Sequence, residues 1–339
     1  MGKTTISWTE HTWNPTRGCS RVSEGCRNCY AERMAARGLP GLKSPATGEP
    51  FAIMTASGPR WTGKVELIES MLDIPLRRKK PTTYFVNSMS DLFHESLPDE
   101  SIDRVFAVMA LCPQHTFQVL TKRAERMRDY WGNPERAALI RDVLNDWADI
   151  GKITQQQCIA ACAAISGGPL PKVWLGVSVE DQPTADARIP HLLRTPAAVR
   201  FVSYEPALGR VNFEPFICPD HRDHTPSQLT KLDWVIVGGE SGPGARPFDI
   251  AWARQTIAQC KADGVACFVK QIGARPYIGH SLHKQIHHRT GDGNLYLKLK
   301  DRKGGDMAEW PEDLRVREMP RPRGGLVPAT VRCVQQVEI

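Results

Sequence analysis

The sequence lacks any run of about 20 consecutive apolar residues, which is the length that a membrane-spanning helix needs. No apolar signal-peptide core follows its first residues, so the sequence predicts a cytoplasmic location and no membrane partner. A Walker motif is also missing, and no glycine-rich fingerprint follows the first predicted strand, which argues against a dinucleotide-binding sheet. Ten cysteines are present, and in the cytosol these are expected to be reduced, buried or metal-bound rather than disulfide-paired.

No strong excess of one charge is present either. The 44 Lys and Arg residues outnumber the 37 Asp and Glu residues by seven. This modest positive balance is compatible with an anionic partner such as nucleic acid. A chain of 339 residues can bury a large core, and one barrel-like domain with insertions is the simplest organisation.

Three cysteines form the most informative cluster in the sequence. Cys19, Cys26 and Cys29 have the spacing C-x6-C-x2-C, which lets all three approach one centre. Thiolates in this pattern suit a soft metal, either zinc or an iron–sulfur cluster. No fourth cysteine is nearby, so a structural zinc would have to recruit His11 or a distant cysteine, whereas a cubane cluster would keep one iron open for a substrate or cofactor. A third hypothesis makes Cys29 a nucleophile with His11 as its base, but it leaves two cysteines without a role.

Short apolar runs alternate with helical patterns over most of the chain and predict a parallel sheet covered by helices on its outer face. The seven predicted strands lie at residues 6–14, 84–86, 117–120, 173–177, 199–202, 234–237 and 267–269. The predicted fold is α/β, a partial or distorted (β/α) TIM-like barrel over residues 1–273. Residues 39–80 are a predicted insertion that begins as an ordered loop or lid, and residues 132–170 are a helical insertion. Residues 274–320 form a predicted C-terminal extension, and residues 321–339 form a tail predicted to be mobile.

Polar side chains follow every predicted strand after the first. They are Asn87, Asp91, Thr121, Lys122, Ser178, Glu180, Glu205, Glu240 and Lys270. In parallel β/α folds the reactive groups collect at the carboxyl ends of the strands. A structural role stays open for each residue, because caps and turns use the same residue types. As a set they predict a functional site at this edge, with Glu205, Glu240 and Lys270 as candidate catalytic residues.

The cysteine loop resembles the radical S-adenosylmethionine (SAM) signature, whose usual spacing is C-x3-C-x2-C. It is three residues longer, and Asn28 stands where an aromatic residue usually precedes the last cysteine, with Tyr30 following instead. More closely, the chain resembles a family of phage and prophage proteins with an extended three-cysteine motif, described as radical-SAM-like. The segments that carry this resemblance are WNPTRGC (13–19), CRNCYA (26–31), NSMSDLF (87–93), WLGVSVE (174–180), SYEP (203–206) and VGGESG (237–242).

The resemblance implies a partial barrel of the radical-SAM type. In that family Cys19, Cys26 and Cys29 would hold a [4Fe–4S] cluster, and the cluster would cleave SAM reductively to a 5′-deoxyadenosyl radical. The substrate is not implied, although the charge leaves nucleic acid among the candidates. An electron donor such as flavodoxin or ferredoxin is implied as a partner, and a further protein partner stays open.

The resemblance also assigns roles to individual residues. Radical-SAM proteins usually contact the SAM amino group where Asn87, Ser88 and Asp91 stand. They usually contact the ribose near Ser178 and Glu180, and Lys122 could meet the carboxylate. The predicted cofactor site is completed by Tyr30, Gly238 and Gly239, the two glycines through close backbone approach to adenine or substrate.

Two alternatives concern metals. In the competing hypothesis the chain is a non-catalytic zinc protein, whose three N-terminal cysteines and one further ligand stabilise a nucleic-acid-binding module. A second zinc could bind at Cys218, His221 and His224 in a C-x2-H-x2-H pattern. Cys158 and Cys162 lie four residues apart on a predicted helix, and core packing explains them better than metal binding.

Overall fold

The structure is a computed structural model that describes residues 4–218, 231–278, 287–289 and 295–321. The strands in these ranges are β1 (His11–Trp13), β2 (Thr16–Arg17), β3 (Ala52–Thr55), β4 (Gly58–Trp61), β5 (Glu66–Leu67), β6 (Thr83–Val86), β7 (Thr116–Thr121), β8 (Val173–Val179), β9 (Val199–Tyr204), β10 (Trp234–Gly238), β11 (Phe248–Asp249), β12 (Ala266–Gln271), β13 (Pro276–Ile278), β14 (His287–Arg289) and β15 (Leu295–Leu297). The α-helices are α1 (Tyr30–Ala35), α2 (Glu69–Leu72), α3 (Asp99–Ala110), α4 (Ala124–Gly132), α5 (Arg136–Asp149), α6 (Gln155–Ser166), α7 (Gln182–Leu193), α8 (Glu214–Ile217) and α9 (Ile250–Ala262).

The central element is a parallel sheet of seven strands in the order β1-β6-β7-β8-β9-β10-β12. Each strand pairs in parallel with the next one along this order, and the two outermost strands, β1 and β12, are not neighbours. The sheet is therefore open, and it curls into a half-barrel, because Trp8 before β1 packs on Trp234 of β10 with the ring centroids 6.1 Å apart. All seven strands lie where the apolar runs predicted them, so the partial β/α barrel is confirmed.

Strand alternation gives the sheet two different faces. On β9, Val202 and Tyr204 are buried in the main hydrophobic core, which includes residues of the helices on the outer side, whereas Phe201 belongs to a separate cluster on the inner side. We call this inner cluster the aromatic floor. Its rings are Trp8, Phe85, Trp174, Phe201, Trp234 and Phe268.

The aromatic floor fills the amino-terminal part of the inner face. The Trp234 ring lies 5.7 Å from the Phe201 ring and 6.1 Å from the Trp8 ring, measured between centroids. Gly176 leaves space for Phe201, because a Cβ at that position would lie 2.5 Å from the phenyl ring. Edge-on and tilted rings at these separations pack favourably, so this end of the half-barrel is a closed core.

The insertions differ in how well they were predicted. Helices α5 and α6 account for the helical insertion at residues 132–170. The prediction of a loop or lid after residue 39 was wrong in part, because β3 and β4 form an antiparallel hairpin and β5 pairs with β2. Proline and glycine in β4 break the alternating pattern by which strands are recognised in a sequence.

The C-terminal extension packs directly on the half-barrel. The Val269 N–H on β12 donates to the Val316 carbonyl at 2.8 Å, and Trp310 and Leu314 are buried in the main core. This contact covers the free edge of β12, which would otherwise expose unpaired backbone groups. The predicted mobile tail lies outside the described residues, apart from Arg321, and so do His221 and His224. No helix in the described part of the chain is long and apolar enough to cross a membrane.

Candidate functional site

The cysteine loop, residues 18–29, lies across the carboxyl ends of the central strands. Gly18 forms a β-bridge with Ser90, which follows β6. Farther along the loop, the Ser23 hydroxyl donates to Glu180 Oε1 after β8 at 3.0 Å. Asn28 Nδ2 donates to Glu240 Oε2 after β10, also at 3.0 Å. The loop therefore meets the polar edge where the sequence placed a functional site.

The three thiols of the loop share one electrostatic environment. Burial raises the pKa of the Cys19 thiol to about 12, and the carboxylate of Asp91 and the thiols of Cys29 and Cys26 add to this increase, while Arg123 opposes it. Burial also raises the pKa of Cys29, and Cys26 contributes to that shift. All three cysteines keep partial access to solvent. A bound cation would favour their thiolate forms and reverse these shifts.

In the described ranges, there is no group of three or more His, Cys, Asp or Glu side chains that could hold a metal ion as they are placed. His11 begins β1, where its ring lies 6.1 Å from that of Tyr84, and it is therefore at the other end of the strand from the cysteine loop. The structure does not bring His11 to Cys29, either as a zinc ligand or as a catalytic base. Cys158 is buried in the main core with its Sγ 3.8 Å from that of Cys162, as core packing predicted.

Arg123 is a buried cation beside the loop that the sequence did not single out. Its Nη1 atom lies 3.8 Å from Cys19 Sγ and donates to Asp91 Oδ2 at 3.1 Å. Its Nη2 atom donates to the Ser20 hydroxyl at 2.8 Å. Asp91 also accepts from the Thr121 hydroxyl at 2.6 Å and from a backbone N–H after β7, so both its oxygens are used inside the protein. This network fixes the first turn of the cysteine loop.

Glu180 anchors the middle of the loop. Its carboxylate is 1% exposed and accepts hydrogen bonds from Lys122 Nζ, from Arg188 Nη1 at 2.9 Å and from the Ser23 hydroxyl. A Cβ on Gly25 would lie 2.3 Å from Glu180 Oε1, so the loop can approach this closely only because residue 25 is glycine. The structure thus pairs Glu180 and Lys122 with each other.

Glu240 anchors the end of the loop. Besides the bond from Asn28, it accepts from the Arg246 backbone N–H at 2.9 Å and from the Arg246 guanidinium at 2.7 Å. Burial by itself would raise the pKa of the Glu240 carboxyl, but the hydrogen bonds from Arg246 and Asn28 outweigh it and hold that pKa below its usual range. Because its oxygens are occupied in this way, Glu240 serves the loop rather than an open reaction centre.

Of the two glycines before Glu240, only Gly239 is required by the packing of the backbone. A Cβ on Gly239 would lie 2.7 Å from the Ile272 carbonyl oxygen, so this position must be glycine for the backbone to pack. The sequence predicted that the backbone here approaches adenine or substrate closely. At Gly239 the close neighbour is instead the protein backbone. Gly238 has ordinary space around it, with Glu205 Cδ and Gln271 O at 3.5 Å from a Cβ.

Further residues of the predicted cofactor site lie beside the loop. Tyr30 is 50% exposed, and burial of its hydroxyl together with the neighbouring Cys29 raises the pKa of the phenol. Its hydroxyl donates to the Ser88 carbonyl at 2.6 Å. Asn87 has a left-handed φ of 61° and is buried, and its Nδ2 atom has no hydrogen-bond partner among the described residues. Ser178 is buried at the end of β8.

Glu205 and Lys270 form a second pair at this edge, and their strands β9 and β12 lie on either side of β10. Lys270 Nζ donates to both carboxylate oxygens of Glu205, at 2.6 and 2.7 Å. The two side chains are 17% and 21% exposed, and they come from the ends of β9 and β12. Of the three candidate catalytic residues, the structure pairs these two, whereas the oxygens of Glu240 accept hydrogen bonds from Asn28 and Arg246.

The chain matches the family model described as "Protein of unknown function (DUF5131)" over residues 3–300. It belongs to this family. The matched region of the DUF5131 chain contains the cysteine loop, the central sheet and every anchoring residue named above. No curated protein and no solved structure matches the chain.

Four functional residues of this DUF5131 protein were missed at the sequence level. They are Ser23, Asn28, Arg123 and Arg246. Three of them contact a predicted residue that is far away in sequence, as Asn28 does with Glu240 over 212 positions, whereas Arg246 lies only 6 positions after its partner Glu240. Only the position of Arg123, directly after a polar strand end, was a signal that could have indicated its role.

Proposed function

We propose that this DUF5131 protein is a radical SAM enzyme that acts at the carboxyl edge of its partial barrel. The observation that carries the proposal is that one loop with three cysteines is held by hydrogen bonds at the polar strand ends of a parallel half-barrel. Three cysteines without a fourth protein ligand suit a cubane cluster whose remaining iron binds another group.

Two features of the described residues support a [4Fe–4S] cluster with SAM. Cys19, Cys26 and Cys29 would hold the cluster after a local rearrangement of the loop, and all three keep partial access to solvent. The unpartnered Asn87 Nδ2 is a buried donor that a polar cofactor would satisfy, since buried polar groups are rarely left without a partner. When bound, the cluster supplies the electron that splits SAM into methionine and a 5′-deoxyadenosyl radical.

The protein itself holds the loop rigid and tunes its charge. The Arg123 guanidinium stabilises negative charge on Cys19, and its ion pair with Asp91 keeps it in place. Glu180 and Glu240 hold the middle and the end of the loop. Such outer groups orient metal ligands and tune the metal, which gives these carboxylates a positioning role rather than a catalytic one.

The roles that the resemblance gave to Asp91 and Glu180 change in this proposal. The oxygens of both carboxylates accept hydrogen bonds from protein donors, Asp91 from Thr121 and Glu180 from Arg188. Contact with SAM then falls to groups with free hydrogen-bonding capacity, such as the Asn87 amide. The proposed SAM site therefore stays at the same edge of the sheet, but different residues bind SAM.

Glu205 and Lys270 mark the substrate side. No hydrogen bond in the described part of the chain joins this pair to the cysteine loop, and both side chains are partly exposed. A paired ammonium and carboxylate offer both donors and an acceptor to a polar substrate. We assign substrate binding to this pair.

The test is the release of 5′-deoxyadenosine from SAM. Protein purified anaerobically is loaded with iron and sulfide, mixed with SAM and dithionite, and analysed by chromatography. The wild-type protein and C162S, a cysteine control outside the loop, should both release 5′-deoxyadenosine, and C29S should release none. Cluster-loaded wild-type protein that releases none with any strong reductant would contradict the proposal.

A further inference from the structure

Helix α6 of the helical insertion carries no charged residue. Residues 153–171 contain no Asp, Glu, Lys or Arg, and this is the longest stretch of the sequence without one. The next longest, residues 105–121, is buried or half-buried except at Pro113. A helix that lacks charges is normally buried on all sides. Helix α6 differs, because it packs on α5 and α3 with one side and leaves its other side in solvent.

The exposed side of α6 forms one continuous surface. Gln156, Ile159, Ala160 and Ala163 have the spacing i, i+3, i+4, i+7, which places them on one face of the helix over consecutive turns. We call these four residues the outer face of α6, and all four are exposed. Ile159 is 68% exposed, and among the large hydrophobic side chains of the described chain only Ile150, directly after α5, is more exposed. An apolar surface of this kind indicates an interaction site.

The outer face has a shape that fits a second copy of itself. Ile159 projects from the helix, whereas Ala163, one turn further on, leaves a shallow groove. If two α6 helices pack antiparallel around a two-fold axis, Ile159 of each copy can lie on Ala163 of the other. In the same register, Gln156 of each copy lies opposite Ser166 of the other, so that polar groups flank an apolar centre.

We propose that the outer face of α6 is a homodimer interface in which the α6 helices of two chains pack antiparallel. The inference does not depend on the proposed function. The absence of charge favours a second copy of the chain over a different protein. A charged surface would repel its own copy, whereas partners of another kind are commonly selected and steered by complementary charges, which α6 does not offer.

The same composition argues against a membrane or a nucleic acid as the occupant. Helices that lie on membranes carry Lys and Arg on their polar face, and nucleic acids bind to cations. Helix α6 has neither. Its 12 residues span about 18 Å, so the contact between two such helices is small. Because small interfaces are weak, we expect a dimer whose population depends on the protein concentration.

Sedimentation velocity of the full chain, from about 1 µM to about 200 µM, tests the proposal. Wild type should shift from monomer to dimer as the concentration rises. I159E buries a carboxylate at the centre of the interface and should weaken association at least about tenfold. M54E is the matched control, since it makes the same kind of change in β3 on a side chain that is 64% exposed, and it should dimerise as wild type does. Both positions are exposed, so circular dichroism should show wild-type folding.

A mixing experiment tests the antiparallel register. In a mixture of I159E and A163K chains, the new carboxylate of one chain faces the new ammonium of the other. Mixed dimers should therefore form at least about threefold more readily than dimers of either variant alone. No gain on mixing would contradict the antiparallel arrangement.

Three further results would overturn the proposal. These are a wild-type chain that stays monomeric at about 200 µM, dimers of I159E with wild-type affinity, and equal weakening by M54E. A monomeric wild type that binds lipid vesicles, with loss of that binding in I159E, would assign the outer face to a membrane surface instead.

Discussion

The amino end and the carboxyl end of the inner face are built from the same strands, but the first is aromatic and apolar and the second is charged. On β9, Phe201 lies in the aromatic floor, and Glu205 stands directly after the carboxyl end of the same strand. On β12, Phe268 lies in the floor and Lys270 is paired at the edge. In barrels of this kind the amino end serves stability and the carboxyl end serves function, and the contrast here follows that division.

The carboxyl edge also requires more unfavourable desolvation than the aromatic floor, because its buried groups are charged. Arg123, Asp91 and Glu180 are charged groups that are less than a tenth exposed. Buried ion pairs contribute little net stability, because desolvation offsets most of their attraction. Their concentration around the cysteine loop is therefore explained by positioning rather than by stability, and the following predictions test that distinction.

The largest effect is expected in the aromatic floor. Phe201→Ala removes a fully buried ring beside Gly176 and should lower the free energy of unfolding by about 3–5 kcal/mol. Urea unfolding monitored by circular dichroism measures this change. The folded variant should still bind iron as wild type does, and a parallel loss of iron would show that the two ends are not separable.

At the edge, removing one anchor should loosen the loop with a smaller global effect. Glu240→Gln weakens the bonds from Asn28 and Arg246 and should cost about 1–3 kcal/mol locally. Hydrogen exchange at residues 26–29 should become about tenfold faster, while the strands of the floor stay protected. The matched control is Glu205→Gln, which holds no part of the loop. If E205Q accelerates exchange in the loop as much as E240Q does, the anchoring role of Glu240 is wrong.

The smallest effect concerns pH and His115, near the amino end of the sheet. Its Nε2 atom lies 2.9 Å from the Arg78 carbonyl oxygen, and its buried Nδ1 atom has no partner among the described residues. Burial lowers the pKa of His115 below 6.5, although hydrogen bonds to two carbonyls oppose this shift. Because the unfolded chain binds a proton near pH 6.5 and the folded chain only at lower pH, the free energy of unfolding should fall as pH drops below 6.5.

The size of this effect is limited to about 1.4 kcal/mol for each unit of the pKa difference. Urea unfolding from about pH 7 to about pH 5 should show a shallower pH dependence in H115Q than in wild type. An unchanged slope would mean that His115 is not held neutral by its surroundings.

The sequence was sufficient to predict the central sheet. Runs such as 173–177 and 234–237 are apolar, short and separated by helical patterns, and burial on both faces requires that composition. The hairpin of β3 and β4 was missed, because Ile53 and Met54 are both exposed and no alternation marks a buried face. An alternating pattern of apolar residues arises when one face of a strand is buried. A hairpin whose residues are exposed on both faces therefore lacks this pattern.

The site could be predicted only to the level of the edge and the loop. The ends of the predicted strands placed Glu180, Glu205 and Glu240 correctly at one edge of the sheet. They did not indicate which side chains contact each other. The partner of Glu180 in the loop, Ser23, is 157 positions away. Such pairings depend on the curvature of the sheet and the path of the loop, which residue spacing does not determine.

The most direct test of the account is the metal content of the anaerobically purified protein, together with its Mössbauer spectrum. The account predicts about four iron and four acid-labile sulfide per chain with the spectrum of a [4Fe–4S] cluster, and loss of both in C19S, C26S and C29S. A colourless protein with one tightly bound zinc and no sulfide, or iron retained by all three serine variants, would contradict it.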